Sequence, residues 1–166
     1  MKRRNVLRVI GSTVAASLAG CTDASNSNAQ SGSGVNIKTT KSVLEKYQSS
    51  QKALDDGYQN LDVCIDKLGK PFVNPEFTEL SYDQPQVLFY QKTTSGGLEL
   101  AGAEWFVPAE STDEPPELFG EEDRMTLKGP MEGHYPDQPR HYGLHGWLFS
   151  ENPNGQFAKF NPNITC

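Results

Sequence analysis

The spacing of apolar side chains predicts that the chain's first ordered element is a helix. From Thr40, a predicted N-cap, to Leu61, apolar residues recur every three, four or seven positions, as they do along one face of an α-helix. They are Val43, Leu44, Tyr47, Leu54, Tyr58 and Leu61. The pattern predicts one amphipathic helix, in which Gly57 either ends the helix or lies in a distorted last turn.

Two apolar segments in the middle of the chain are typical of strands. QVLFYQK (86–92) and LELAGAEWFV (98–107) flank TTSGG, which supplies the glycines of a hairpin turn. We therefore expect an antiparallel pair. Strict alternation along the second strand places Glu104 on one face with several apolar neighbours. Those neighbours are Leu98, Leu100, Gly102 and Phe106.

A further strand is predicted from His141 to Phe149. Its alternation puts His141, Gly143 and His145 on one face, so that only a glycine separates two imidazoles. This arrangement leaves an open slot that could admit a metal ion or a small ligand.

The remaining segments predict turns and loops around these elements. Residues 62–75 are expected to be irregular, 108–124 to form an acidic, proline-rich loop, and 129–139 to form a second loop after a short strand at 125–127. ENPNG (151–155) is a strong turn signal. The predicted fold class is α+β, with an N-terminal amphipathic helix packed on a small, mainly antiparallel sheet or partial barrel that carries long loops.

The first twenty residues have the layout of a signal peptide. A basic cluster precedes an uncharged run that is shorter than the roughly 20 residues a membrane-spanning helix needs, and small residues lead to Cys21. RRNVL resembles the twin-arginine export motif, and LAGC resembles a lipobox, which implies cleavage before Cys21 and lipidation of that residue. The alternative is a secreted protein with a coincidental cysteine.

These features predict the domain organisation and the location. We expect residues 1–20 to be a signal peptide that is removed, 21–39 to hold the lipidated cysteine and a flexible linker, and 40–166 to form a single α+β domain. The protein would then be anchored by lipid to the outer face of the cytoplasmic membrane. A formal charge of -6 and the absence of a Lys/Arg stripe argue against nucleic acid as a partner.

With Cys21 assigned to the anchor, Cys64 and Cys166 remain as a pair. In an oxidising environment a disulfide is the economical interpretation, and a catalytic thiol is the alternative. Asn163 begins an Asn-Ile-Thr sequence, which fits the acceptor pattern for N-glycosylation.

The candidate chemistry lies in a set of imidazoles and one carboxylate. Glu104, His141 and His145, with His134 from the preceding loop, offer the donor atoms that bind zinc, iron or manganese. The competing hypothesis is a structural network in which Glu104 bonds His145, Tyr142 or backbone groups and fixes the strand register. No serine nucleophile elbow, phosphate-binding loop or dinucleotide fingerprint is found in the sequence.

Several segments resemble a functionally uncharacterised family of exported bacterial and archaeal proteins. They are PQVLFY, AEWFVP, ELFG, GHYPDQPRHYGLHGW and NPNGQFAKFNPNITC. Members of that family typically carry a glycine-histidine-aromatic pattern near position 71, where this chain has Gly69-Lys70-Pro71-Phe72 and lacks the histidine. The resemblance implies a coherent domain and no particular activity.

We therefore expect a cell-surface lipoprotein whose domain is a noncatalytic envelope or interaction module. The alternative is a domain that binds a small ligand or a divalent metal such as zinc or manganese through Glu104, His141 and His145, with His134 as a further ligand. No catalytic residue is assigned.

Overall fold

The computed structural model describes residues 36–166, which form an α+β fold dominated by an antiparallel sheet. The predicted signal peptide, Cys21 and most of the linker lie outside the described residues. Helix α1 spans Ile37–Leu44, and its N-cap is Asn36, whose side chain accepts a hydrogen bond from the backbone N–H of Thr39. Thr40, the predicted cap, is instead a buried residue of the helix. The cap lies four residues earlier than predicted, so the helix begins before position 40.

The predicted single helix is broken into shorter pieces. A 3-10 turn at Glu45–Gln48 follows α1, and α2 spans Ser50–Asp55. Ser49 between them has extended backbone, and its hydroxyl caps α2 by accepting from Lys52 N–H, a competing bond that serine commonly offers. The break rotates the helical face, so Leu54 is 42% exposed where burial was predicted.

Six strands form the main sheet, in the spatial order β1-β2-β3-β4-β8-β7. Their bounds are Gln59–Asn60 (β1), Lys70–Val73 (β2), Val87–Lys92 (β3), Leu98–Pro108 (β4), Lys128–Met131 (β7) and His141–Gly146 (β8). A separate two-stranded ribbon consists of β5 (Glu117–Leu118) and β6 (Met125–Thr126). All of the pairings are antiparallel, and the long strand β4 lies between β3 and β8. The predicted hairpin and the short strand at 125–127 are confirmed.

Two short strands, β2 and β7, were not predicted. Strand β2 lies in a segment that was expected to be irregular, and most of β7 lies in a segment that was expected to be loop. Strand β2 contains a proline and β7 contains a glycine and a proline, so their sequences carry no strand signal, and pairing with β3 and β8 defines them. The histidine strand ends at Gly146, three residues before the predicted end at Phe149.

Side chains cover both faces of the sheet. The helices pack on one face, where Tyr90 donates its hydroxyl proton to the backbone carbonyl of Tyr47 at 2.6 Å. Apolar residues from the sheet and the C-terminal segment cover the other face. This second cluster contains Leu68, Val87, Phe89, Ala101, Trp147 and Ile164. The burial of Ile164 shows that the end of the chain belongs to the core.

A β-bulge in β4 changes which residues share a face with Glu104. Phe89 pairs with Gly102 and Tyr90 with Leu100, so the register skips Ala101. Leu98 and Leu100 consequently pack on the helix side of the sheet, and their predicted placement beside Glu104 was wrong. Phe106, which follows the bulge, remains on the face of Glu104, with its ring 5.3 Å from that of His141.

The C-terminal segment, residues 151–166, forms a strap over the second face of the sheet. A disulfide joins Cys166 to Cys64, with the two Cα atoms 5.8 Å apart, as predicted from the cysteine count. The backbone N–H of Asn161 donates to the carbonyl of Lys67, and Lys67 N–H donates to the carbonyl of Ile164. Of the helices in residues 36–166, none is long and apolar enough to cross a bilayer.

Reduction of the disulfide is expected to destabilise the domain. In the chain-entropy model, releasing a cross-link between residues separated by 102 positions costs about 5 kcal/mol. We expect the oxidised Cys21→Ser protein to contain no titratable thiol, and its melting temperature to fall when a reductant is added. Two free thiols in the oxidised protein would contradict the pairing.

Candidate metal centre

The central strand pair places Glu104 and two histidines on one side of the sheet. Glu104 of β4 lies opposite His145 of β8 in the ladder, and His141 stands on the same face of β8. The Nε2 atoms of His141 and His145 lie 3.0 Å and 3.4 Å from the same carboxylate oxygen, Oε1. Gly143 makes this close approach possible, because a Cβ atom there would lie 3.2 Å from both Glu104 Oε1 and His141 Nε2. The slot predicted at this glycine is occupied by the carboxylate and by an imidazole edge.

His134 joins the cluster from the loop between β7 and β8. Its ring centroid lies 5.5 Å from that of His141 and 5.3 Å from that of His145. One ligand atom from each of Glu104, His134 and His141 lies within 4.8 Å of the others. The structure therefore brings together all four residues that the sequence suggested.

The imidazole Nε2 atoms of this cluster are buried and lack hydrogen bonds. Glu104 and His141 have no exposed surface, and His145 is 4% exposed. Within the described residues, the Nε2 atoms of His134, His141 and His145 are all buried without a hydrogen-bond partner. The two atoms nearest Glu104 are close enough for an ion pair but lack the alignment that a hydrogen bond requires.

The other ring nitrogens show which atom of each imidazole carries hydrogen. His141 Nδ1 lies 2.8 Å from the carbonyl oxygen of Pro139, and His145 Nδ1 contacts the carbonyl oxygen of Lys159. A carbonyl only accepts, so Nδ1 must be the protonated nitrogen in both rings. In each neutral ring, Nε2 then offers a lone pair toward the centre of the cluster, as in metal sites whose histidines are oriented by carbonyls.

The pKa shifts describe a charged acid surrounded by bases. Burial raises the pKa of Glu104, but the neighbouring imidazoles of His145 and His141 lower it by more, and the net shift is downward. Burial lowers the pKa of His141, but the Glu104 carboxylate raises it by more, and the net shift is upward. Burial lowers the pKa of His134 to about 4, so that ring is neutral at pH 7. Without a metal, the carboxylate therefore favours a proton on His141.

Gln138 completes the surroundings of the carboxylate and was not identified from the sequence. Its side-chain Nε2 lies 3.2 Å from Glu104 Oε1 and 3.3 Å from Oε2, and its Oε1 accepts the backbone N–H of His134 at 2.6 Å. The sequence of a polar loop does not indicate whether the loop folds over the sheet. The role of Gln138 therefore could not be predicted from the pattern of apolar and polar residues.

The other predicted positions lie apart from this cluster. Pro71 is on β2, which β3 separates from β4, so the four-residue cluster forms without that position. The disulfide occupies both Cys64 and Cys166, which overturns the alternative of a catalytic thiol. Asn163 is exposed, and its amide donates to the carbonyl of Glu151; its glycosylation stays a prediction.

Comparison with family models, with curated proteins and with solved structures found no match to this chain. The resemblance to an exported family therefore stays a prediction.

Enlarging Gly143 is expected to disrupt the cluster. In Gly143→Ala the new methyl group would lie 3.0 Å from His141 Cδ2 and 3.2 Å from Glu104 Oε1, so these buried groups must shift, at a cost of about 1–3 kcal/mol. Denaturant unfolding measures the loss. Gly97→Ala is the matched control, because its methyl group would meet only the flexible side-chain oxygen of Thr93. Equal stabilities of the two variants would contradict this packing.

Proposed function

We propose that the described domain binds a divalent transition-metal ion through Glu104, His134, His141 and His145. One observation carries the proposal. Three imidazole nitrogens, each buried and without a hydrogen-bond partner, converge on one buried carboxylate. Three imidazoles and a carboxylate are a common ligand set for such ions.

The charges of the cluster favour a metal over protons. One carboxylate balances one positive charge, so a single proton on His141 leaves the Nε2 lone pairs of His134 and His145 buried and unpaired. Each unpaired buried group costs about 1–3 kcal/mol. Protonation of all three rings leaves an excess of buried positive charge, which costs more. A divalent cation held by Glu104, His134 and His141, whose ligand atoms lie within 4.8 Å of one another, would satisfy these three donors at once, and His145 Nε2 lies 3.4 Å from the same carboxylate oxygen.

Zinc is the ion that this geometry suits best. With bonds of about 2.0–2.1 Å, tetrahedral zinc separates its ligand atoms by roughly 3.3 Å. The two distances from Glu104 Oε1 to the imidazole nitrogens are 3.0 Å and 3.4 Å. Two of the donor separations thus match the tetrahedral value, and an ion held between these atoms would account for the short contacts without hydrogen-bond alignment. Manganese, which prefers more oxygen ligands, is the competing ion.

Added zinc is expected to stabilise the wild-type protein and to have little effect on two ligand variants. For chelator-treated protein, a zinc concentration about a hundredfold above Kd should add about 2.7 kcal/mol to the free energy of unfolding. Glu104→Gln and His145→Ala should lose this gain. Melting curves with and without zinc, together with the metal content of the purified domain, test the proposal. A wild-type curve that zinc leaves unchanged would refute it.

The metal-free protein is expected to depend more on His145 than on His134. His145 is buried, packs edge-on against Phe89 and holds the Lys159 carbonyl, whereas His134 is only partly buried. His145→Ala should cost roughly 2–3 kcal/mol and His134→Ala about 1 kcal/mol. Denaturant unfolding in the presence of chelator gives the order, and a reversed order would contradict the assignment.

The second candidate function is a noncatalytic envelope or interaction module in which the same residues form an ion-paired network. The raised pKa of His141 supports it, because a proton shared with Glu104 would then take the place of the metal. In that case the ligand variants lose stability, and zinc shifts neither them nor the wild type. The zinc experiment therefore separates the two functions.

We also propose that the protein is exported and anchored to the outer face of the cytoplasmic membrane. The basic cluster, the uncharged run and LAGC in the first 21 residues support this location, and the disulfide between Cys64 and Cys166 is compatible with it. The anchor would hold the metal-binding domain close to the membrane surface.

Replacing Cys21 is expected to release the protein from the membrane without blocking its export. Cys21→Ser removes the site of acylation, and acyl chains, not the domain, would provide the membrane affinity. Fractionation and immunoblotting measure the distribution. Mature Cys21→Ser protein that remains in the membrane fraction would contradict lipidation.

A further inference from the structure

We infer that Gln138 determines the metal specificity of the proposed site by restricting Glu104 to a single bond with the ion. The inference rests on the proposed function and adds the coordination mode of its carboxylate. It concerns a positioning residue, because Gln138 acts through Glu104 and offers no bond of its own.

The position of the Gln138 amide nitrogen carries the argument. It lies 3.2 Å from Oε1 and 3.3 Å from Oε2 of Glu104, and is therefore almost equidistant from the two oxygens. An ion that binds a carboxylate through both oxygens must also lie about midway between them. The amide thus occupies the place of such an ion. Oε1, which faces His141 and His145, remains available for one bond on its other side.

The amide is held in that place by its own loop. Gln138 Oε1 accepts the backbone N–H of His134, and Gln138 N–H donates to the carbonyl of Tyr135 at 3.2 Å. Gly133 packs so tightly on the Gln138 backbone that no Cβ atom would fit. With a buried side chain and both polar atoms engaged, Gln138 cannot turn away without also moving the ligand His134.

A site restricted in this way offers one carboxylate oxygen with the nitrogens of His134 and His141, whose ligand atoms lie within 4.8 Å of one another, and His145 Nε2 lies 3.4 Å from the same oxygen. One carboxylate oxygen and imidazole nitrogens are ligands that suit a four-coordinate zinc site. Manganese prefers more oxygen ligands. It would bind more tightly if the second carboxylate oxygen of Glu104 were also free to coordinate, and Gln138 blocks that position. The glutamine therefore discriminates between ions that the imidazoles alone would both accept.

Gln138→Leu tests the inference, because it removes the amide at similar size. The affinities of the full-length protein for zinc and for manganese are measured by competition with a chelator. We expect the ratio of zinc to manganese affinity to fall roughly tenfold or more, the size of effect typical of groups that orient metal ligands. Gln86→Leu is the matched control, since Gln86 is also buried and bridges Glu79 and Phe106 without contacting Glu104. Its ratio should equal that of the wild type.

Cobalt(II) substitution of the wild-type protein provides a readout that does not depend on a variant's folding. Four-coordinate cobalt absorbs visible light strongly, whereas six-coordinate cobalt absorbs weakly. We expect a strong band for the wild type and a weaker band for Gln138→Leu. A weak, six-coordinate band in the wild type would overturn the inference, as would an unchanged zinc-to-manganese ratio in Gln138→Leu. In both cases metal binding itself would stand, whereas a wild type that binds no ion would refute the proposed function.

Discussion

The burial of a single charge, the carboxylate of Glu104, is the constraint on which this structure depends. A carboxylate without exposed surface is stable only when neighbouring groups compensate it. Here the compensation comes from separate parts of the chain: strand β8 supplies two imidazoles, and the loop before it supplies His134 and the Gln138 amide. The sheet register, the loop conformation and the charge are therefore coupled, and a change in one affects the others.

The strap formed by the C-terminal segment connects this site to the stability of the whole domain. Its Lys159 carbonyl fixes the tautomer of His145, and its Ala158 carbonyl accepts the indole N–H of Trp147 at 2.7 Å. Ile164 anchors the strap in the core, and the disulfide fixes its end to Cys64. The disulfide does not contact the cluster, but it holds the strap in place. The strap in turn positions the Lys159 carbonyl, which orients the imidazole of His145.

Small residues in the central strands allow the site to exist. Gly102 lies where a Cβ atom would come within 2.6 Å of the Gly146 carbonyl oxygen, and Gly143 admits the carboxylate beside His141. A larger side chain cannot be accommodated at Gly102 or Gly143, although it would strengthen strand packing at a less crowded position. The glycines that weaken the strands in isolation are thus required by the close approach of buried polar groups.

The sequence by itself determined the antiparallel hairpin, the pairing of the two cysteines in the described domain and the sharing of one strand face by His141 and His145. Those features follow from local alternation, turn chemistry and cysteine count. Only the tertiary structure decided the rest. The bulge at Ala101 moved Leu98 and Leu100 to the opposite face, and Ser49 divided the helix. Strands β2 and β7 formed by pairing with their neighbours, without a sequence pattern of their own. Gln138 and Glu104 lie 34 positions apart in the sequence, and the fold of a loop brings them into contact. This contact could not be predicted, because the local periodicity of a sequence does not determine where a loop folds.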